Sequence, residues 1–155
     1  MKKILGLVLA VIMVLGLSTT GFATVSRNAT STPAFKYFKQ YYYQSKPGDY
    51  LNLMIQKADK KVTMARADYT QELTYKTITK GKATIKGTEV WTFTGTCVLV
   101  TYNESGEEIR STPWKTSVKI TFKTANKVLG VSMPKHGAAK GENFKGTMTI
   151  PQGGY

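Results

Sequence analysis

The sequence predicts an α+β fold, in which an N-terminal helix or helix pair packs on a curved antiparallel β-sheet. Two observations support this prediction. Aromatic residues recur at helical spacing between residues 35 and 43. From Val62 onward, threonine, β-branched residues and apolar–polar alternation predominate. An all-β barrel or sandwich with an N-terminal helix is the alternative that these patterns leave open.

Two short helices are predicted ahead of the strands. Thr32 and Pro33 are the residue types that favour the N-cap and the first position of a helix, and the aromatic side chains after them are expected to face the core. A carbohydrate or membrane platform is the other interpretation of that aromatic segment. Residues 46–48 end the first helix, and Asp49 is a favourable N-cap for the second.

The rest of the chain is predicted to form antiparallel strands. Their predicted ranges, in chain order, are residues 62–66, 72–79, 89–102, 109 or 114 to 123, and 128–133. A bulge is expected at Gly95, a hairpin loop at residues 103–107 and an interruption at Pro113. Residues 134–146 are rich in Gly and Lys and are predicted to be a mobile basic loop, followed by a short strand at residues 147–150.

Residues 1–23 have the pattern of a cleaved export signal. A positively charged start precedes an apolar run over residues 4–17, and the small residues Gly21 and Ala23 stand at the −3 and −1 positions. Because a membrane-spanning helix needs about 20 apolar residues, we expect cleavage and no transmembrane anchor. The product is expected to be secreted, either extracellular or associated with the cell wall.

The part of the chain after the leader has the size of one domain. Residues 24–32 are expected to be a flexible N-terminus, residues 33–150 a single α+β domain, and residues 151–155 a frayed tail. Cys97 is the only cysteine, so no intrachain disulfide can form. Its position in a predicted strand indicates a buried thiol, with pairing to another chain as the alternative. The scarcity of cysteine in an exported protein indicates a Gram-positive source.

A large excess of basic residues is the strongest functional indication. The formal net charge is +13, and loss of Lys2 and Lys3 with the leader lowers it to +11. Such a charge favours anionic polymers as partners, and export argues against genomic DNA. The lysines expected to bind an anion are Lys80, Lys82, Lys86, Lys115, Lys119, Lys123, Lys135, Lys140 and Lys145.

The groups that catalysis and metal binding need are scarce. His136 is the only histidine, and it lies in the predicted basic loop. One Cys and one His do not make a zinc site, no phosphate-binding glycine loop is present, and the carboxylates are scattered. We therefore predict no catalytic residue, no metal and no cofactor.

The order of the predicted elements resembles the NTF2-like, cystatin-like α+β cone. The closest parts are Gly48-Asp49-Tyr50, followed by Leu53 and Met54, and the last strand over residues 127–131. The resemblance would cover residues 33–134. It implies a ligand-binding or assembly module. Enzymes of that superfamily use an Asp/His or Asp/Tyr arrangement inside the cone, and no histidine lies on the predicted strands, so no catalytic residue is carried over.

Two functional hypotheses follow. The first is a secreted, non-enzymatic module that binds an anionic component of the cell envelope, such as a wall polymer, or a partner protein. The second is a small-ligand-binding protein, with or without weak hydrolase or isomerase activity. Its pocket would be lined by Tyr75, Trp91, Phe93 and Trp114.

Overall fold

The computed structural model describes residues 36–152, which form a closed, antiparallel β-barrel. Its strands are β1 (Gln40–Lys46), β2 (Asp49–Gln56), β3 (Lys61–Ala65), β4 (Thr70–Gly81), β5 (Glu89–Tyr102), β6 (Glu108–Arg110), β7 (Trp114–Thr124), β8 (Lys127–Met133) and β9 (Glu142–Thr149). The predicted leader, the predicted flexible N-terminus and most of the predicted tail lie outside the described residues.

The barrel has eight strand positions arranged as a meander. From β1 to β5 and from β7 to β9, each strand pairs with the next along the chain, and β9 returns to β1 through Tyr42 and Thr149. Strand β4 pairs with β5 over its whole length. The short strand β6 and β7 pair with successive parts of the same edge of β5, so together they occupy one position. Because the ring is closed, every strand position has a neighbouring strand on both sides.

The predicted α+β fold is wrong, because the described residues contain no α-helix. The segment expected to be the second helix is β2, in which Leu51, Leu53 and Ile55 are buried and alternate with more exposed residues. In the first predicted helix, Tyr41 is buried whereas Tyr42 is not. A period of two therefore describes both segments, and Pro47 and Gly48 form the turn of a hairpin between them.

The resemblance to the NTF2-like cone is wrong, because residues 36–152 contain none of the helices that it requires. That fold requires helices packed on an open curved sheet, whereas here the sheet closes on itself through β4–β5 and β1–β9. An all-β barrel, the alternative fold, is what the described residues form, without the helix that the alternative included.

The interior of the barrel is filled by side chains from every strand position. An eight-stranded barrel has an interior about wide enough for side chains to fill. The largest side chains buried there are Tyr41, Leu51, Leu53, Met64, Leu73, Trp91, Phe93, Ile120, Phe122 and Met148. Tyr37 precedes β1 and stacks on Phe122 with ring centroids 4.0 Å apart, so it closes one end of the core.

The strand predictions after residue 60 are mostly confirmed. Strand β5 has the predicted range, the loop at residues 103–107 and the break at Pro113 are present, and β7 buries Trp114, Val118, Ile120 and Phe122. The predicted mobile loop over residues 134–146 is too long. Strand β9 begins at Glu142, because its side chain and that of Phe144 are buried in a period-two pattern.

The expected bulge lies in the strand opposite Gly95. Tyr75 pairs with Gly95 and Thr77 with Thr94, which leaves Lys76 as the extra residue in β4. A Cβ atom at Gly95 would lie only 2.0 Å from the carbonyl oxygen of Thr74. Glycine is therefore required at this position by the close approach of the β4 backbone.

Gly95→Ala should lower the free energy of unfolding by about 2–3 kcal/mol, because the β4 backbone must move away from the added methyl group. Gly130→Ala is the matched control, since the nearest atom to a Cβ there is 3.4 Å away. Urea unfolding measures both. Equal stability of the two variants would contradict the close contact described at Gly95.

Glu89 accepts side-chain hydrogen bonds at the end of the barrel where Tyr37 covers the core. Its Oε2 accepts hydrogen bonds from the Tyr37 hydroxyl at 2.6 Å and from the Trp91 indole at 3.1 Å. The hydrogen bond from Tyr37 is the main reason that the pKa of Glu89 is lowered below its ordinary 4.5. Stability from this group is therefore present above pH 4.5 and is lost as the pH falls through the lowered pKa.

Glu89→Gln should reduce the loss of stability on acidification from about pH 5 to about pH 3, because glutamine accepts the same hydrogen bonds without titrating. Thermal unfolding at several pH values measures the effect. The control Glu104→Gln removes a carboxyl in the exposed hairpin loop and should leave the acid sensitivity as it is. The interpretation fails if Glu89→Gln remains as acid-sensitive as the unaltered protein.

Candidate anion-binding site

A cleft of about 270 Å³ lies on the outer surface of the barrel, across β7, β8 and β9. The strand register places Lys119 beside Ser132, and Ser132 beside Asn143, in one row. The next row consists of Thr121, Gly130 and Lys145. The exposed members of these rows alternate along each strand with buried residues such as Val118, Met133 and Glu142, so their side chains point to solvent.

The loop between β4 and β5 borders the cleft and contributes Lys82 and Thr84. Two contacts hold this loop in place. The Thr88 hydroxyl donates to the carbonyl oxygen of Ile85 at 2.7 Å, and the Lys123 ammonium donates to the carbonyl oxygen of Lys86 at 3.4 Å.

The lining of the cleft also includes Gly130 and the buried residues Val90, Val131 and Phe144. A Cβ atom at Gly130 would meet only ordinary contacts at 3.4 Å or more, so a larger side chain there would project into the cleft. The glycine thus keeps the middle of the basic surface open.

The electrostatics of the cleft favour an anion. Lys82, Lys119 and Lys145 are exposed, and none of the three lies within 4.0 Å of a carboxylate in residues 36–152. Three ammonium groups around one concave surface repel one another, and a bound anion would relieve that repulsion. The hydroxyl groups of Thr84, Thr121 and Ser132 and the amide of Asn143 add hydrogen-bond donors.

The structure brings together three of the nine lysines that the sequence indicated. Lys80 is 3.6 Å from Glu89 and Lys140 is 2.6 Å from Asp68, so these two charges are partly neutralised. Lys123 follows Thr121 on the same outer face of β7. The remaining predicted lysines lie outside the lining of the cleft: Lys86 in the bordering loop, Lys115 at the start of β7, and Lys135 in the loop before β9.

The four residues expected to line a small-ligand pocket are part of the core. Tyr75, Trp91, Phe93 and Trp114 are all at least 94% buried and belong to the hydrophobic core. Phe93 packs edge-on against Tyr75 with ring centroids 5.4 Å apart, and Trp114 stacks on His136 at 5.5 Å. None of the four lines the outer cleft.

A half-buried ion pair, at the opposite end of the barrel from Tyr37, had no signal in the sequence. Arg66 donates to both carboxylate oxygens of Glu142, at 2.7 and 3.2 Å, and to the carbonyl oxygen of Tyr50 at 3.1 Å. The hydrogen bonds to Glu142 raise the pKa of Arg66. These contacts join β2, β9 and the loop after β3, so we assign the pair to closure of the barrel.

Metal binding and membrane insertion find no support in the described part of the chain. No cluster of three or more His, Cys, Asp or Glu residues is arranged to hold a metal ion between residues 36 and 152. Within the same range there is no helix with the length and hydrophobicity to cross a membrane.

Comparison with known proteins gives no indication of the family or function of this chain. No family model, no curated protein and no solved structure matches the chain. The resemblance inferred from the order of elements therefore has neither sequence nor structural support.

Cys97 is buried as predicted, and its environment suppresses reactivity. The residue is 0% exposed, and burial raises the pKa of its thiol to about 12. Since the thiolate is the reactive form, a thiol-specific reagent at about pH 8 should modify the folded protein only at the rate of unfolding and should modify the urea-unfolded protein at once. Fast modification of the folded protein would contradict the burial of Cys97.

Proposed function

We propose that this protein is a secreted, non-enzymatic module that binds an anionic polymer of the cell envelope through the basic cleft. The observation that supports the proposal is the meeting of Lys82, Lys119 and Lys145, without a neighbouring carboxylate, around one concave surface. Location in the wall or outside the cell follows from the export pattern of residues 1–23.

The chemistry of the cleft favours phosphate groups as the anion. Several donors converge from three strands and a loop, which suits a group with many acceptor oxygens. The cleft is open to solvent along the sheet, so a phosphate within a long chain has access to it. A phosphate-bearing wall polymer combines both features and is the ligand that we favour.

Binding through exposed ammonium groups should depend strongly on salt. Mobile ions screen such charges, and the Debye length falls from about 10 Å at 0.1 M salt to about 3 Å at 1 M. The charges of these lysines add to the positive potential of the whole protein, and this potential increases the association rate of an anion. A neutral or purely apolar ligand would not show this dependence.

The triple variant Lys82→Gln, Lys119→Gln and Lys145→Gln should lose at least about tenfold in affinity for a polyphosphate chain at about 50 mM salt, because it removes the converging charges. Isothermal titration calorimetry with the full-length chain measures the change. The matched control replaces Lys46, Lys76 and Lys135, which are exposed and lie outside the cleft, so it has the same net charge.

The control distinguishes a site from a general charge effect. Retained affinity in the control and lost affinity in the cleft variant would support the proposal. Equal losses in the two variants, or binding by the unaltered protein that is the same at low and high salt, would contradict it. Gly130→Leu provides a test without charge change, since its side chain should occupy the cleft and weaken binding.

A further inference from the structure

The outer surface of β1, β2 and β3 has a central region of uncharged side chains. Tyr41, Leu51, Leu53, Val62 and Met64 point into the core, so their neighbours point outward. We call this surface the neutral face, and it consists of Gln40, Tyr42, Gln44, Tyr50, Asn52, Met54, Thr63 and Ala65.

The strand register arranges the neutral face in rows. Gln40 lies beside Met54, which lies beside Thr63, and Tyr42 lies beside Asn52 in the next row. Gln44 pairs with Tyr50 in the third row. Charged side chains border this surface: Asp49 begins β2, and Glu72 of β4 lies beside Thr63 and is 3.8 Å from Lys61.

The aromatic rings and amides of the neutral face are held in fixed positions. The rings of Tyr42 and Tyr50 stack with centroids 6.0 Å apart and an interplanar angle of 28°. The Gln40 side-chain amide donates to Asn52 Oδ1 at 3.0 Å, and the Tyr42 hydroxyl donates to Gln44 Oε1 at 3.0 Å. The Nδ2 group of Asn52 and the second lone pairs of Asn52 Oδ1 and Gln44 Oε1 have no partner among the side-chain hydrogen bonds of the described residues, so they can bind a ligand.

This combination matches the chemistry of an uncharged sugar chain. A hexopyranose ring has C–H groups that pack on an aromatic surface and hydroxyl groups around its rim that need donors and acceptors. An amide both donates and accepts, so it suits hydroxyl groups better than it suits a phosphate. We propose that the neutral face binds a neutral hexopyranose polysaccharide.

Charge complementarity separates this ligand from other occupants. A second copy of the chain without the predicted leader, which includes Lys2 and Lys3, would bring another net charge of +11 toward the surface, which opposes self-association. A charged partner surface would lose hydration against the neutral face without gaining a counter-charge, which is costly. An uncharged, hydroxyl-rich ligand meets neither obstacle.

The experiment titrates the full-length chain, at high salt, with three soluble probes: cellohexaose, chitohexaose and maltohexaose. Isothermal titration calorimetry should detect binding of at least one probe. Tyr42→Ala should weaken that binding by about tenfold or more, since it removes one ring of the stacked pair. Tyr42→Phe should retain most of it, because the ring remains. Tyr102→Ala is the control, as Tyr102 is 61% exposed and far along the chain from the neutral face.

The possible results are distinct. Binding that is insensitive to salt, lost in Tyr42→Ala and kept in Tyr42→Phe and Tyr102→Ala supports the proposal. The proposal is overturned if none of the three probes binds, or if Tyr42→Ala binds as well as the unaltered protein. It is also overturned if sedimentation shows a dimer that Tyr42→Ala abolishes. None of these outcomes depends on the basic cleft, because the titration is done at high salt and the cleft lysines are unchanged.

Discussion

Closure of the sheet is the constraint on which the rest of this structure depends. Pairing of β4 with β5 and of β9 with β1 makes each strand turn one face to a filled interior and the other to water. The interior is occupied by large apolar and aromatic side chains. Three of them, Tyr37, Tyr75 and Trp91, also donate a hydrogen bond from a hydroxyl or indole N–H group to another part of the chain. The features that we assign to binding accordingly lie on the outside, where register between strands decides which side chains are neighbours.

Closure also explains which parts of the fold could be predicted from the sequence. In residues 114–123 the apolar residues follow a period of two and no competing helical period exists, so the strand and its buried face were predicted correctly. In residues 50–56 both periods are present, since Tyr50, Leu53 and Met54 fit a helix while Leu51, Leu53 and Ile55 fit a strand. Pairing with β1 and β3 on either side makes this segment a strand, and those backbone contacts are not part of the segment's own periodicity.

For the candidate site too, the sequence identified the basic residues, but only the fold shows which of them are neighbours. The basic composition was evident in the sequence, and Lys82, Lys119 and Lys145 were all among the nine expected anion-binding residues. That these three meet, whereas Lys80 and Lys140 are paired with carboxylates, depends on the strand register and on the fold of the loop after β4. The half-buried pair of Arg66 and Glu142 had no periodic or spacing signal at all, because each partner belongs to a different part of the ring.

The outer surface therefore presents two chemistries on different strands, a basic cleft over β7, β8 and β9 and a neutral face over β1, β2 and β3. The central claim concerns the cleft, and mapping backbone amide chemical shifts by NMR while pyrophosphate is added tests it most directly. The account predicts that the largest shifts fall on residues around Lys119, Ser132 and Lys145 and saturate together. Shifts distributed over lysines throughout the surface, including Lys115 and Lys135, would contradict a specific site.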